Sequence, residues 1–365
     1  MTMTMKPEPA TGTPIANSLT AGRLPTPVPW IILGTAIAVS FGVFGVMALA
    51  AGTGLNWGGA LLVGAILYIP SIWLFSMLVE GRRRAMDRLV TALVTGAFVI
   101  AMIPLVSLTI TVVTFGLNRF DLDFFSMSMR NVTGEGGGAL HAIVGTLLMT
   151  GTAALISIPI GLMTSIYLVE YGRGKLAQGI TFLVDVMTGI PSIVAGLFAY
   201  ALFVVFYGPG VRMGAAGSVA LSVLMIPVVV RSSEEMLKLV PNELREASYA
   251  LGVPRWRTIV KVVLPTAVAG IATGVTLSIA RVIGETAPLL LVCGLTTSMN
   301  TDLFNGRMTT LPVFTYYSYA TPGFPPEAGY DRAWSAALVL ITIVMALNLV
   351  ARVISFIFAP KTPGR

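Results

Sequence analysis

From Val28 to Val79 the chain runs 52 residues without an Asp, Glu, Lys, Arg or His. A helix crosses a bilayer core with about 20 apolar residues, so this stretch is long enough to cross twice. The rest of the chain is of the same kind. Hydrophobic residues make up 55% and charged residues 11%, with a mean hydropathy of +0.86, against roughly 25% charged in soluble domains. These features predict an all-α, polytopic membrane protein.

Charge-poor runs place eight transmembrane helices at about 28–52, 57–79, 89–117, 139–169, 176–208, 213–230, 266–295 and 331–357. Residues 1–27 are Thr- and Pro-rich, lack apolar periodicity and read as a disordered tail. The run after them is too long for a signal-peptide core and is followed by further spans, which makes it a retained anchor. Residues 28–88 form a helix pair with its following loop, residues 89–357 a six-helix body, and residues 358–365 a short tail.

Lys and Arg set the orientation. With the N-terminus inside, 17 of the 23 basic residues fall on the cytoplasmic side, among them Arg82, Arg83, Arg84 and Arg88. Arg119, Arg130, Arg212, Arg307 and Arg332 fall outside, and Arg281 lies within a span. Both termini are therefore expected in the cytoplasm of a cell whose plasma membrane holds the chain. The net charge of +7 is accounted for by these loop residues, and no basic, aromatic-interleaved domain exists to bind nucleic acid.

Several motif classes are missing. The single Cys293 builds no disulfide or thiolate cluster, and His141 has no clustered acids to make a metal site. Gly134-Glu135-Gly136-Gly137-Gly138 reads as an external flexible joint. Gly174-Lys175 continues with Leu176 rather than Ser or Thr and lacks the upstream glycine of a phosphate-cradling loop. The chain is expected to carry no catalytic or ATPase site of its own and to bind no cofactor.

The informative polar segment is 231–265. Pro241 suits a first helical turn, Glu243 and Glu246 complement its dipole, and Gly252 with Pro254 stops it. Leu244, Ala247, Ser248 and Leu251 share a face. A second short helix from Pro254 carries Trp256, Ile259, Val260 and Val263 until Pro265 ends it. The string Glu246-Ala247-Ser248, then Gly252, then Val262 with Leu264-Pro265 resembles the EAA loop of ABC importer permeases. Ser248 stands in place of an Ala and Val262 in place of an Ile. The resemblance implies a coupling helix seated in a groove of a cytoplasmic ATPase. Arg245 and Glu246 would then form the polar rim, and Ala247 and Ser248 would permit close approach.

Arg281 lies 15 residues beyond Thr266, roughly 22 Å into a core about 30 Å thick. A mid-membrane Arg costs at least about 2.5 kcal/mol on insertion scales and faces protein or a wet cavity. Glu285, at i+4, shares its face. The two either neutralise each other structurally or form an anion station, with Glu285 moderating the grip of Arg281.

The surrounding string Ala280-Arg281-Val282-Ile283-Gly284-Glu285-Thr286-Ala287-Pro288-Leu289-Leu290 resembles the signature of phosphate importer permeases of the PstA family. Thr310-Leu311-Pro312-Val313 and Gly189-Ile190-Pro191-Ser192-Ile193-Val194 are similar to that family as well. The resemblance covers roughly residues 89–357 and leaves the first two helices as an addition to a six-helix core. It implies phosphate import by alternating access, with Arg281, Glu285 and Thr286 lining the path. It also implies a PstC-like sister permease, a PstB-like ATPase dimer that uses ATP and Mg, and a PstS-like extracytoplasmic phosphate-binding protein. A permease for molybdate or sulfate would keep the coupling loop without needing the charged pair. An ion-coupled secondary anion transporter would need the pair without the loop.

Asp185 stands beside the helix-breaking Gly189-Ile190-Pro191. These residues read either as part of a gate or, for Asp185, as a vestibule acid bonded to a neighbouring helix. Residues 296–330 carry seven aromatic side chains, suited to an interfacial belt or a docking surface.

Overall fold

The computed structural model describes residues 24–358. Its helices are α1 (Val28–Ala51), α2 (Trp57–Val79), α3 (Arg82–Gly116), α4 (Leu122–Ser126), α5 (Leu140–Ile166), α6 (Lys175–Thr188), α7 (Ser192–Tyr207), α8 (Gly214–Lys238), α9 (Asn242–Ala250), α10 (Arg255–Thr258), α11 (Leu264–Ile283), α12 (Ala287–Val292), α13 (Leu311–Ala320) and α14 (Pro326–Phe358). Two π-turns, Tyr167–Tyr171 and Ile259–Val263, follow α5 and precede α11. Seven helical segments are long and apolar enough to cross a membrane, and α6 with α7 makes an eighth if counted as one span. That agrees with the expected count. The chain divides within α3 into a unit up to Leu108 and a unit from Thr109.

In the first unit Asn56 caps α2 by accepting from the Gly59 N–H at 2.9 Å. Gly64 lets α2 lie directly on α1, since a methyl there would stand 2.9 Å from Ile37 Cα. The Ser40 hydroxyl donates across the pair to the Ala60 carbonyl at 2.7 Å. Small residues and hydroxyl bonds are the usual means of joining helices in lipid, where apolar burial gives little drive. At the end of α2, Glu80 accepts from Ser76 Oγ at 2.6 Å, Leu24 N–H at 2.8 Å, and both Nε and Nη2 of Arg88. The hydrogen bonds from Arg88, helped by those from Ser76 and Leu24, outweigh burial and hold the Glu80 carboxyl down at about 2.

The second unit is built round α8. Its core side joins Met149 and Ala153 of α5 to Ala216, Ala220, Leu221 and Met225 of α8. Gly161 permits that closeness, because a methyl on it would meet Val229 Cγ1 at 2.6 Å. On α11, Gly274 faces Ser232 of α8 in the same way, and Gly196 of α7 faces Pro288 of α12. Aliphatic side chains such as Leu155, Met163 and Val205 remain exposed, as expected of a surface made for lipid or another membrane subunit.

The span at 176–208 is interrupted at its helix-breaking residues, as two helices bent by 109° at a break of three residues. Three expectations are corrected. The helix expected to end at 230 continues to Lys238, with Glu234 accepting from Arg231 three residues before it and Lys238 four residues after. The span at 266–295 breaks after Ile283. The glycine-rich run at 134–138 is no free joint: Arg332 donates to the Gly134 and Gly136 carbonyls at 2.6 and 3.2 Å, and Arg119 to the Gly137 carbonyl at 2.7 Å. His141 is buried, edge-on to Phe314. Part of the aromatic 296–330 segment forms α13, with Phe314 buried and Tyr316, Tyr319 and Phe324 exposed.

Candidate functional site

The break after α11 follows from its sequence. Gly284 is a poor helix former, and Pro288 has no N–H to return to the carbonyl four residues back. The helix closes with the Gly284 and Glu285 N–H groups both turned to the Val282 carbonyl, and Pro288 then sits in the first turn of α12. Glu285 is therefore off the helix that carries Arg281, and the expected i,i+4 relation is lost. Among the described residues, no ion pair includes Arg281 or Glu285. Ser278, Val282 and Ile283 occupy the buried side of α11, while Arg281 is exposed and Glu285 and Thr286 are half-buried. A guanidinium in the last turn of a candidate membrane span, with no carboxylate within 4 Å among the described residues, is costly against lipid and calls for protein or water beside it.

A second break lies between α6 and α7. Gly189 ends α6, its N–H bonding to the Val186 carbonyl at 3.1 Å, and Pro191 adopts an extended conformation that starts α7. One turn before the break Asp185 accepts from Arg231 Nη2 of α8. Arg231 also donates through Nη1 to Glu234 at 3.0 Å, and Glu234 accepts from Lys238 at 2.7 Å. Alternating charges thus tie the bent span to α8. Gly189 and Pro191 supply the bend, and Asp185 joins α6 to α8 through Arg231.

Within the 231–265 segment, α9 and α10 form the two arms of a V joined by Ser248 and Thr258. Pro241 precedes α9, and the chain turns after Ala250 through Gly252 in the left-handed region at φ +74°, where a β-carbon is disfavoured. Arg245, expected on an outer rim, points inward. Its Nε and Nη2 donate to one oxygen of Glu170 at 3.0 and 2.9 Å, and its Nη1 and Nη2 also reach the carbonyls of Val240 and Leu237 at 2.6 and 3.0 Å. Ser248, expected to face a partner, is buried with its hydroxyl 2.8 Å from that of Thr258, closing the V. Glu246 and Ala247 are exposed, beside exposed Leu244, Leu251 and Trp256.

Leu264 and Pro265 do not end the second arm. The Ile259–Val263 π-turn leads directly into α11, with Pro265 in its first turn. The i→i+5 pattern omits a donor at the junction, so the missing proline N–H costs little there.

Sequence reasoning missed Glu170 and Arg255. Arg255 donates to the Glu170 carbonyl and lies 5.0 Å above the Tyr171 ring, so two arginines of the V grip one π-turn. A signal existed: Glu170 is an acid closing a long apolar run, and a buried carboxylate there needs a cationic partner. Among the described residues no group of three or more acids, His or Cys is placed to hold a metal ion.

A model of the family described as binding-protein-dependent transport system inner membrane component matches residues 157–363. The phosphate transport system permease protein PstA 1 of Mycobacterium tuberculosis (strain CDC 1551 / Oshkosh) is 47% identical over 281 residues, covering 76% of this chain and 90% of its own. The phosphate transport system permease protein PstA of Mycobacterium leprae (strain TN) is 46% identical over 288 residues, covering 78% and 93%. Among solved structures, the MetNI methionine ABC transporter in inward-facing conformations aligns with 96% of its matched chain and 60% of this one at a TM-score of 0.51 and 22% identity, a likeness of fold. The chain belongs to the binding-protein-dependent transport system inner membrane components, as a member of the phosphate transport permease family PstA.

Proposed function

We propose that the chain imports inorganic phosphate by alternating access, as one of two permeases driven by a separate ATPase. The observation that carries this reading is Arg281, exposed and uncompensated at the break of a membrane span. Its forked donors match an oxyanion, and the freed backbone and the Thr286 hydroxyl beside it offer further, individually weak contacts. Glu285 sits close along the chain without clamping the guanidinium, which leaves Arg281 free to bind and then release an anion.

The V of α9 and α10 serves as the ATPase contact. Leu244, Ala247, Leu251 and Trp256 give it an apolar surface with Glu246 as a polar edge, and Arg245 and Arg255 fasten it to the end of α5. The bend at Gly189–Pro191 supplies a limb that moves with α8 through Asp185 and Arg231. In this reading the loop side and both termini are cytoplasmic. A PstC-like permease covers Arg281, a PstB-like dimer spends ATP with Mg, and a PstS-like protein delivers phosphate outside. The helix pair at 28–79 is an addition to this machinery.

The test is uptake of labelled phosphate by proteoliposomes holding the assembled importer. ATP-dependent uptake that excess sulfate or molybdate does not suppress is expected. Uptake by this chain alone without ATP, or equal suppression by sulfate, contradicts the reading.

A further inference from the structure

Next to Gly294, two loops bring together a pair of arginines that the path described above does not use. The Met213 N–H donates to the Val292 carbonyl at 3.1 Å and the Met308 N–H to the Cys293 carbonyl at 3.4 Å. Arg212 and Arg307, each one residue earlier, are thereby pinned beside the turn that follows α12. A methyl built on Gly294 would stand 3.1 Å from Arg212 Cδ and 3.3 Å from Arg307 Cδ, so the two stems are no farther apart than those two contacts together. Gly294 is itself buried with φ +72°, so the turn suits glycine twice over.

The arrangement is built rather than incidental. Asn300 Nδ2 donates to the carbonyls of Asn305 and Arg307 at 2.8 and 2.9 Å. Thr309 Oγ1 bridges the Thr296 N–H and carbonyl at 2.7 and 2.8 Å. Asp302, the acid nearest Arg307 in sequence, has its Oδ1 engaged by the Phe304 N–H at 2.9 Å. Among the described residues neither arginine has a carboxylate within 4 Å, and both are exposed. Two like charges held side by side without a counter-ion repel, and an anion between them relieves the repulsion.

We propose that Arg212 and Arg307 form an outer oxyanion site, which receives phosphate before it reaches Arg281. The proposal rests on the phosphate permease reading above. The pair stands at one end of α12 and the Glu285–Thr286 break at the other, separated by six residues or about 9 Å of helix. Paired guanidiniums raise the local concentration of a passing anion, and their planar forks bind its oxygens better than ammonium groups do.

The test uses the assembled importer in proteoliposomes with its binding protein. Arg212→Met with Arg307→Met keeps the stems packed on Gly294 and removes both charges, while Arg212→Lys with Arg307→Lys keeps the charges. The Met pair is expected to lower phosphate uptake about tenfold, and the Lys pair to stay within about threefold of the parent. The binding-protein concentration that half-stimulates ATP hydrolysis should not move in either. Parental uptake by the Met pair overturns the proposal, as does an equal loss in the Lys pair, which would mark a role of shape. A shift of the half-stimulating concentration matching the lost uptake overturns it too, because the pair would then be docking an acidic protein surface. A parent that imports no phosphate defeats the underlying functional reading, and that arm is read before any variant is compared.

Discussion

Arg245 and Glu170, 75 residues apart, meet through two hydrogen bonds to a single carboxylate oxygen, with only 11% and 3% of their side chains exposed. The contact joins the V-shaped loop to the end of α5. With Arg255 on the Glu170 carbonyl and over Tyr171, it makes the loop and the span one mechanical piece. In the proposed coupling role, a rigid connection of this kind would pass a displacement at α9 to α5 without absorbing it.

Removing the cation alone leaves a buried carboxylate without a partner, a loss of about 3–5 kcal/mol in comparable pairs. Arg245→Met is therefore expected to lower the thermal unfolding midpoint and to speed amide exchange across residues 240–258. Adding Glu170→Gln should recover part of the loss, since the uncompensated charge goes with it. Additive losses in the double variant would show that the two residues do not act through each other.

Glu80 predicts a pH dependence with a definite sign. Its carboxyl is held at about 2 in the folded state against an ordinary 4.5. Its stabilising contribution is therefore complete above about 4.5 and is lost as pH falls from there toward 2. The difference in unfolding midpoint between the parent and Glu80→Gln should be largest near neutral pH and shrink across that window. A difference that stays constant down to pH 2 would contradict the assignment.

Helix packing through glycine gives a third expectation. A methyl on Gly161 would meet Val229 Cγ1 at 2.6 Å, so Gly161→Ala should destabilise by about 1–3 kcal/mol. Val229→Ala in the same chain should return most of it by opening room for the methyl. Unfolding midpoints of the two variants and their combination measure the effect.

The spans were legible because lipid leaves an unmistakable mark: runs of some 20 residues without charge admit few alternatives. Breaks inside spans were harder to read. Placing Arg281 and Glu285 on one face assumed a continuous helix, although Gly284 and Pro288 carried the signal for a break. Gly189 and Pro191 were read correctly as breakers, but a string of residues does not contain the 109° angle, which is set by how α6 and α7 pack on their neighbours. Pro265 looked like a stop because proline usually is one, and the π-turn that accommodates it has no sequence signature of its own.

At the loop, α9 and its stop at Gly252 followed from punctuation. The inward turn of Arg245 and Ser248 did not, since it depends on Glu170 and Thr258, residues that only the fold brings near. In each case local pattern gave the element, and a distant partner decided which way its side chains faced.

The central claim is that Arg281 handles the transported anion, and phosphate uptake by an Arg281→Gln importer tests it most directly. Losing charge-assisted bonds worth about 1.5–3 kcal/mol corresponds to roughly a 10- to 100-fold lower uptake rate. The account predicts that loss with the ATPase still co-purifying in parental amount. Uptake at the parental rate by an equally well assembled variant would contradict it.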